Sequence, residues 1–428
     1  MPLKKWWTTV RDSLWFLPAI WVVLSAVMAF VMITIDRRTP DFAADFPLVF
    51  GGGADGARGL LSSIAGSMIT VAGVTFSITI VALQLASSQL SPRVLRNFMR
   101  DRRSQVVLGA FIGAFTYAIL VLRSIRGELD GVAAFVPSVA VSVGIAFALM
   151  ALGMFVFFIH HIASRIQLGT IVANIAEETT DQVERDWPEE DRNGAAPRLP
   201  DDAPGVVAAT DSGYLQLVDM TDLVEIATRD RLLVRLEVRP GGWVQEGAPL
   251  FGVWPASAAN DKLTKILNGQ VSLGPQRSIE QDAAFGVRQL VDVALKAISP
   301  GINDPTSASD CINRLGQILS AVGNRFPPRW THRDADDIER LLVPAADWDE
   351  LVGLAFDQLR QYSAGSADVS ISVAETLRTI AQAVPAYRHP ALARQVRLVC
   401  ESAGEVGLAA DRLRVEDAVR RALDVMHA

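Results

Sequence analysis

At 428 residues, 50% of them hydrophobic, and with positive mean hydropathy, the chain is too apolar for an ordinary soluble multidomain protein. A net charge of −7 argues against nucleic acid as a partner. The two isolated cysteines, Cys311 and Cys400, make neither a disulfide framework nor a metal site.

The apolar excess lies almost entirely before Arg165, where gaps between charges predict four membrane spans. No charge falls between Asp12 and Asp36, and Leu14–Ile35 at about 1.5 Å per residue crosses a hydrocarbon core of roughly 30 Å. This run exceeds the apolar region of a secretory signal, so Lys4, Lys5 and Arg11 flank a retained helix. Gly59 to Pro92 is again free of charge, about 50 Å if helical throughout, and must tilt, bend or project beyond the bilayer. Gln105–Leu122 and Phe135–Ile159 supply the third and fourth spans, with His160 and His161 at an interface.

Basic residues set the orientation. Lys4, Lys5 and Arg11 at the start, and Arg93, Arg96, Arg100, Arg102 and Arg103 between spans two and three, mark cytoplasmic segments. The other two loops mix Arg37, Arg38, Arg58, Arg123 and Arg126 with Asp36, Asp41, Asp45, Asp55, Glu128 and Asp130 and are placed outside. Both termini are then cytoplasmic in a multi-pass protein of a bacterial inner (plasma) membrane, consistent with unpaired thiols downstream.

Helical pattern continues over Gln167–Glu184 and breaks in DWPEEDRNGAAPRLPDDAPG, a linker or flexible loop. The runs VVAAT, GYLQLV, LLVRLEV and APLFGVW, separated by turns at Asp211-Ser212-Gly213 and Pro240-Gly241-Gly242, predict a small β module. PGGWVQEGAPLF looks like the turn-and-strand of biotinyl and lipoyl-type folds, but no lysine lies between Lys5 and Lys262, so covalent attachment is excluded. From Lys262 onward the reading is helical. Ser278-Ile279-Glu280-Gln281 has the form of a capping box ahead of a helix ending at Ser299-Pro300-Gly301. Asn303 or Asp304 caps a second helix, with Pro305 in its first turn. Segments around 335–343, 349–364, 369–384 and 391–426 complete an all-α bundle.

The fold class is thus an α-helical membrane protein with four transmembrane helices and a cytoplasmic α+β region. Its parts are a transmembrane domain at 1–165, a helical extension and linker at 166–204, a barrel- or sandwich-like β module at 205–256, and an α-helical domain at 257–428.

Two long stretches carry a resemblance, FSITIVALQLASSQLSPRVL in span two and QDAAFGVRQLVDVALKAISPGINDPTSASDCINRL downstream. They resemble the hallmarks of the bacterial predicted membrane proteins called domain of unknown function 2254, over nearly the full chain. That resemblance implies membrane topology and supplies no activity or catalytic residues.

Two constellations are candidate sites. On span two, Ser63, Ser67, Thr70, Gly73, Ser77, Gln84 and Ser88 fall at steps of three, four or seven and share a face. Such residues either let membrane helices approach and hydrogen-bond or line a water-facing ion path. Four helices are too few to enclose a path, so a pore needs several copies around an axis. Downstream, Arg288, Asp292 and Lys296 read as a ladder of surface pairs. Alternatively, Arg288 and Asp292 join Asn303, Asp304 and the free amides of a helix start to hold a small anion or cation.

GGGADG at 51–56 lacks the strand, helix and lysine of a phosphate loop, and adjacent histidines face different sides of a helix, which suits anchoring better than metal. No catalytic set, cofactor motif or intramembrane ionisable residue is visible in the sequence. The expectation is a non-enzymatic homo-oligomer in the lipid bilayer, forming or gating a passive path for a small ion. The competing expectation is a non-conducting sensor or scaffold that binds a ligand or partner through its cytoplasmic domain.

Overall fold

The computed structural model describes residues 15–38, 50–89, 102–127, 134–165, 167–190, 199–328 and 331–427. Side chains at 85–89 and 163–165 are outside that description, as are the basic segments around Lys4 and Arg100 that mark the expected cytoplasmic side. The chain divides into two compact units, 1–167 and 168–428.

Among the described residues the first unit contains four helices long and apolar enough to cross a membrane: α1 (Phe16–Arg38), α2 (Ala54–Gln89), α3 (Arg102–Ser124) and α4 (Ser138–Arg165). They coincide with the four charge-free runs. Their ends differ by a few residues: α2 begins at Ala54, ahead of Gly59, and α4 begins at Ser138, after the bridge of Phe135 with Arg126, and runs on to Arg165. α2, at 36 residues, spans about 54 Å, as its uncharged length anticipated.

α3 packs against the other three helices and is the most enclosed, with Phe111, Tyr117 and Val121 buried. Close approach depends on Gly109 and Gly113. A Cβ on Gly109 would come 2.5 Å from Trp21 Cδ1, and one on Gly113 2.7 Å from Ser25 Oγ, both on α1. This is a small-xxx-small contact, which lipid-embedded helices use because apolar side chains gain nothing over lipid tails. Asp36, 7% exposed at the end of α1, accepts from the amides of Val139 (3.0 Å) and Ala140 (2.9 Å), so one helix supplies the N-terminal cap of another. The Tyr117 hydroxyl donates to Ala140 O at 2.9 Å.

The second unit begins with α5 (Leu168–Asp186), which packs on α8 (Ala283–Ala297) and α9 (Pro305–Gly323). Thr179 lies against Gly286 so closely that any Cβ there would overlap it. The helical extension therefore packs into the bundle.

Between them folds the mixed α/β region: β1 (Gly205–Ala208), β2 (Gly213–Val218), α6 (Met220–Arg229), β3 (Leu233–Leu236), β4 (Trp243–Val244), β5 (Pro249–Trp254), α7 (Asp261–Asn268) and β6 (Val271–Gly274). The strands at the four expected runs form. Asp219 starts α6 by accepting from Asp222 N (3.2 Å), and Asn260 starts α7 by accepting from Leu263 N (3.0 Å).

After α9 come β7 (Thr331–Arg333) and β8 (Glu339–Leu342), then α10 (Trp348–Tyr362), α11 (Ala367–Ala383), α12 (His389–Ser402) and α13 (Ala409–His427). One sheet runs β1-β5-β3-β8-β7 and the other β4-β2-β6; all pairings are antiparallel except β3–β8. Val207, Leu215, Val234, Phe251 and Leu341 from the strands meet Leu223 and Leu267 from α6 and α7 in one core.

Several expectations are corrected. Residues 335–343 are not helical: they turn through Asp334–Asp337 into β8, whose Leu341 pairs with Val234. Reading everything past Lys262 as helix is wrong for β6, β7 and β8. The segment 391–426 is two helices, α12 and α13, interrupted around Ala403–Gly407. The capping box at Ser278 does not form, because Asp282 caps α8 by accepting from Phe285 N at 3.2 Å. Gln281 sits at φ 60, and its side chain is held by Val218, accepting from its N at 2.9 Å and donating to its O at 3.0 Å.

Candidate functional site

Among the described side chains of α2 the buried ones are Ala57, Leu61, Ile64, Ala65, Met68, Ala72, Thr75 and Ala82. Ser63, Ser67, Thr70, Gly73, Ser77 and Gln84 are exposed on the chain; at about 100° per residue the two sets centre on opposite sides of the helix. Ser88 lies in the last turn, outside the described side chains. The outward stripe also contains Gly59 and Gly66, which the sequence reading did not include. Gly59, Ser63, Gly66, Thr70, Gly73 and Ser77 alternate steps of four and three, and Gln84 follows seven residues after Ser77.

At Gly59, Gly66 and Gly73 an added Cβ meets nothing within 4 Å. The contrast with Gly109 and Gly113 is direct: those glycines are used within the chain, and these are not. Two stripe hydroxyls donate to the preceding turn, Ser63 to Gly59 O (2.9 Å) and Thr70 to Gly66 O (2.8 Å). The stripe is thus built of glycines and hydroxyl residues without charge, with exposed Val74 and Val81 on the same side of the helix.

The downstream candidates resolve into local contacts. Arg288 pairs with Asp292 at 2.8 Å along α8, both half-buried or less exposed. Asp304 caps α9, accepting from Ser307 N (3.0 Å) and Ser307 Oγ (2.5 Å), and these bonds hold its carboxyl below the usual range. Asn303 adopts φ 51 in the tight turn before it. Among the described residues no group of three or more His, Cys, Asp or Glu is arranged to hold a metal ion.

A cavity of about 710 Å³ lies elsewhere in the second unit. It is bounded by the end of α5 with Trp187–Glu189, the β3–β4 turn at Arg239–Pro240, the start of α8 at Gln281–Ala284, Arg325 and Pro328 after α9, and Val343–Ala346 after β8. Asp282 is buried at its wall, held by Arg277 through bonds of 2.9 and 3.0 Å; burial pushes its carboxyl up and Arg277 opposes this. Arg239 pairs with Glu350 (2.5 Å), which raises its already high affinity for a proton. Arg325 donates to Trp187 O and Glu189, each at 3.0 Å. The PGG turn and the QDAAFG stretch were both visible in the sequence, but their meeting depends on a chain reversal that no local pattern encodes.

These features define a multi-span α-helical membrane protein carrying a mixed α/β region and a helical bundle. The chain belongs to the family described as Predicted membrane protein (DUF2254), which matches residues 11–379, as the two hallmark stretches implied. It is similar to Uncharacterized protein Mb1321c of Mycobacterium bovis and Uncharacterized protein Rv1290c of Mycobacterium tuberculosis. Each is 32% identical over 97% of this chain and 81% of the relative. No solved structure matches.

Proposed function

We propose that the protein is a homo-oligomer of a bacterial inner membrane in which the α2 stripes of several copies surround a passive path for a small ion. In this reading both termini and the 168–428 unit are cytoplasmic, and that unit regulates or organises the assembly. The observation that carries the proposal is the outward glycine, serine and threonine face of α2, placed opposite the helix's buried face with open space at Gly59, Gly66 and Gly73. Lipid tails gain little from such a face, whereas a second helix packs closely on it and water finds acceptors along it. An uncharged wall favours weak, passing contacts over tight binding.

A second reading, a ligand-binding sensor or scaffold with no conduction, is favoured by the cavity of the second unit. Potassium and chloride flux into liposomes containing the purified protein separates the two. Flux above protein-free liposomes, lowered by Ser77→Leu, supports the path. A stable oligomer with no flux of either ion contradicts the path and leaves the sensor reading.

A further inference from the structure

We propose that the cavity of the 168–428 unit binds a small organic anion bearing a phosphate or carboxylate, gripped by Arg239 and Arg325. This stands apart from conduction and does not depend on it. At about 710 Å³ the space falls within the roughly 300–1,000 Å³ of small-molecule sites. Its walls come from segments far apart in the chain, each anchored in a packed element, so its shape is set by the fold rather than by one loop.

The charges on the wall do not decide the ligand's sign by number, since Arg185, Arg239 and Arg325 face Glu184, Asp186, Glu189 and Asp282. Their placement separates them: Glu184 is exposed on α5, and Asp282 and Asp186 are engaged within the fold. Asp282 is closed off by two bonds from Arg277 and by the amide of Phe285. Asp186 accepts from Gln182 Nε2 at 2.7 Å, and Arg185 donates to Gln182 Oε1 at 2.8 Å.

Arg239 and Arg325 are held differently. The side chain of Arg325 is 17% exposed while that of its partner Glu189 is 79% exposed, so the guanidinium is fixed and its counter-ion is at the rim. The bond from Arg325 Nη1 to Trp187 O keeps the guanidinium oriented when Glu189 leaves. Glu350, the partner of Arg239, is 46% exposed and holds that guanidinium at two points. Exposed ion pairs contribute about 0–1 kcal/mol, and a planar guanidinium binds an incoming carboxylate or phosphate in two-point fashion. A ligand anion therefore replaces Glu189 at Arg325 with little loss, and at Arg239 it exchanges one two-point carboxylate partner, Glu350, for another. The apolar wall at Pro240, Val343, Pro344 and Leu351 receives the body that carries the anionic group.

The test uses the full chain in lipid nanodiscs at constant ionic strength, titrated by calorimetry with adenosine 5′-monophosphate, tripolyphosphate and citrate. Saturable binding of at least one is expected. Preference for the first two identifies a phosphate, and preference for citrate a carboxylate. Arg239→Gln and Arg325→Gln should each weaken that binding at least tenfold. Glu189→Gln, an exposed change that leaves folding intact, should tighten it severalfold by removing the competing partner. The proposal is overturned if all three anions behave as chloride does, if affinity survives loss of both arginines, or if Glu189→Gln leaves it unchanged.

Discussion

The backbone of Gly241, at φ 84, lies against the carboxylate of Asp282 so closely that a Cβ on Gly241 would overlap Oδ2. The same carboxylate caps α8 and holds Arg277. One turn of the mixed α/β region is thereby seated on the N-cap residue of α8, at the wall of the cavity.

Gly241→Ala should destabilise the second unit by about 2–4 kcal/mol, combining the cost of a left-handed backbone for alanine with overpacking. Thermal unfolding of the full chain reads this as a fall in the transition of that unit. In an Asp282→Ala background the same change should cost only about 1 kcal/mol, the backbone share. Equal costs in both backgrounds would refute the contact.

The legible parts of this fold were those written in local pattern. Charge-free runs gave away α1 to α4, and Asn303 or Asp304 with Pro305 marked the start of α9, where Asp304 is the cap. The errors arose where a distant partner overrode a sound local signal. Ser278 to Gln281 fits a capping box, but Gln281 is drawn to Val218, far back in the chain, and the helix starts at Asp282 instead. Residues 335–343 place Ile338, Leu341 and Leu342 at helical spacing, yet Leu341 and Leu342 pair with Val234 and Arg235, a long-range parallel pairing that no window contains. The polar face of α2 was legible from steps of three and four. That its glycines stand open while Gly109 and Gly113 do not requires coordinates.

Gly109→Leu and Gly113→Leu should disrupt the packing of α1 on α3 and lower the yield of folded, detergent-stable protein, since both positions have no room for a side chain. Gly73→Leu should leave the folded monomer intact and act only on assembly, read by size-exclusion with light scattering. A folded, fully oligomeric Gly73→Leu protein with unchanged flux would count against the role of the stripe.

Acid stability should carry the mark of Asp304. Its native pKa is lowered by the Ser307 hydroxyl and amide, so its contribution is present above the ordinary carboxylate value of about 4 and is lost as pH falls through the lower native value. Asp282, raised by burial against the pull of Arg277, works with the opposite sign and makes the slope shallower. Asp304→Asn, still a good cap, should cost under about 1 kcal/mol at pH 7 and flatten the loss of unfolding temperature below about pH 4. An acid limb as steep as that of the unchanged protein would contradict the assignment.

The central claim is that the α2 stripe faces water between copies, and cysteine accessibility in liposomes tests it most directly. Cys400 is exposed and is first replaced by serine, whereas Cys311 is buried, its thiol pushed up to about 12 by burial and nearby Asp310, and the protein with Cys311 alone is the expected unreactive control. Single cysteines at Ser67, Thr70, Ser77 and Gln84 are then treated with a small charged thiol reagent, alongside Ile69, Val71 and Ile78. The account predicts rapid modification at the stripe, slow modification at the three apolar positions, and loss of ion flux as the stripe is modified. Protected stripe cysteines in a stable oligomer, or modified ones with unaltered flux, would contradict it.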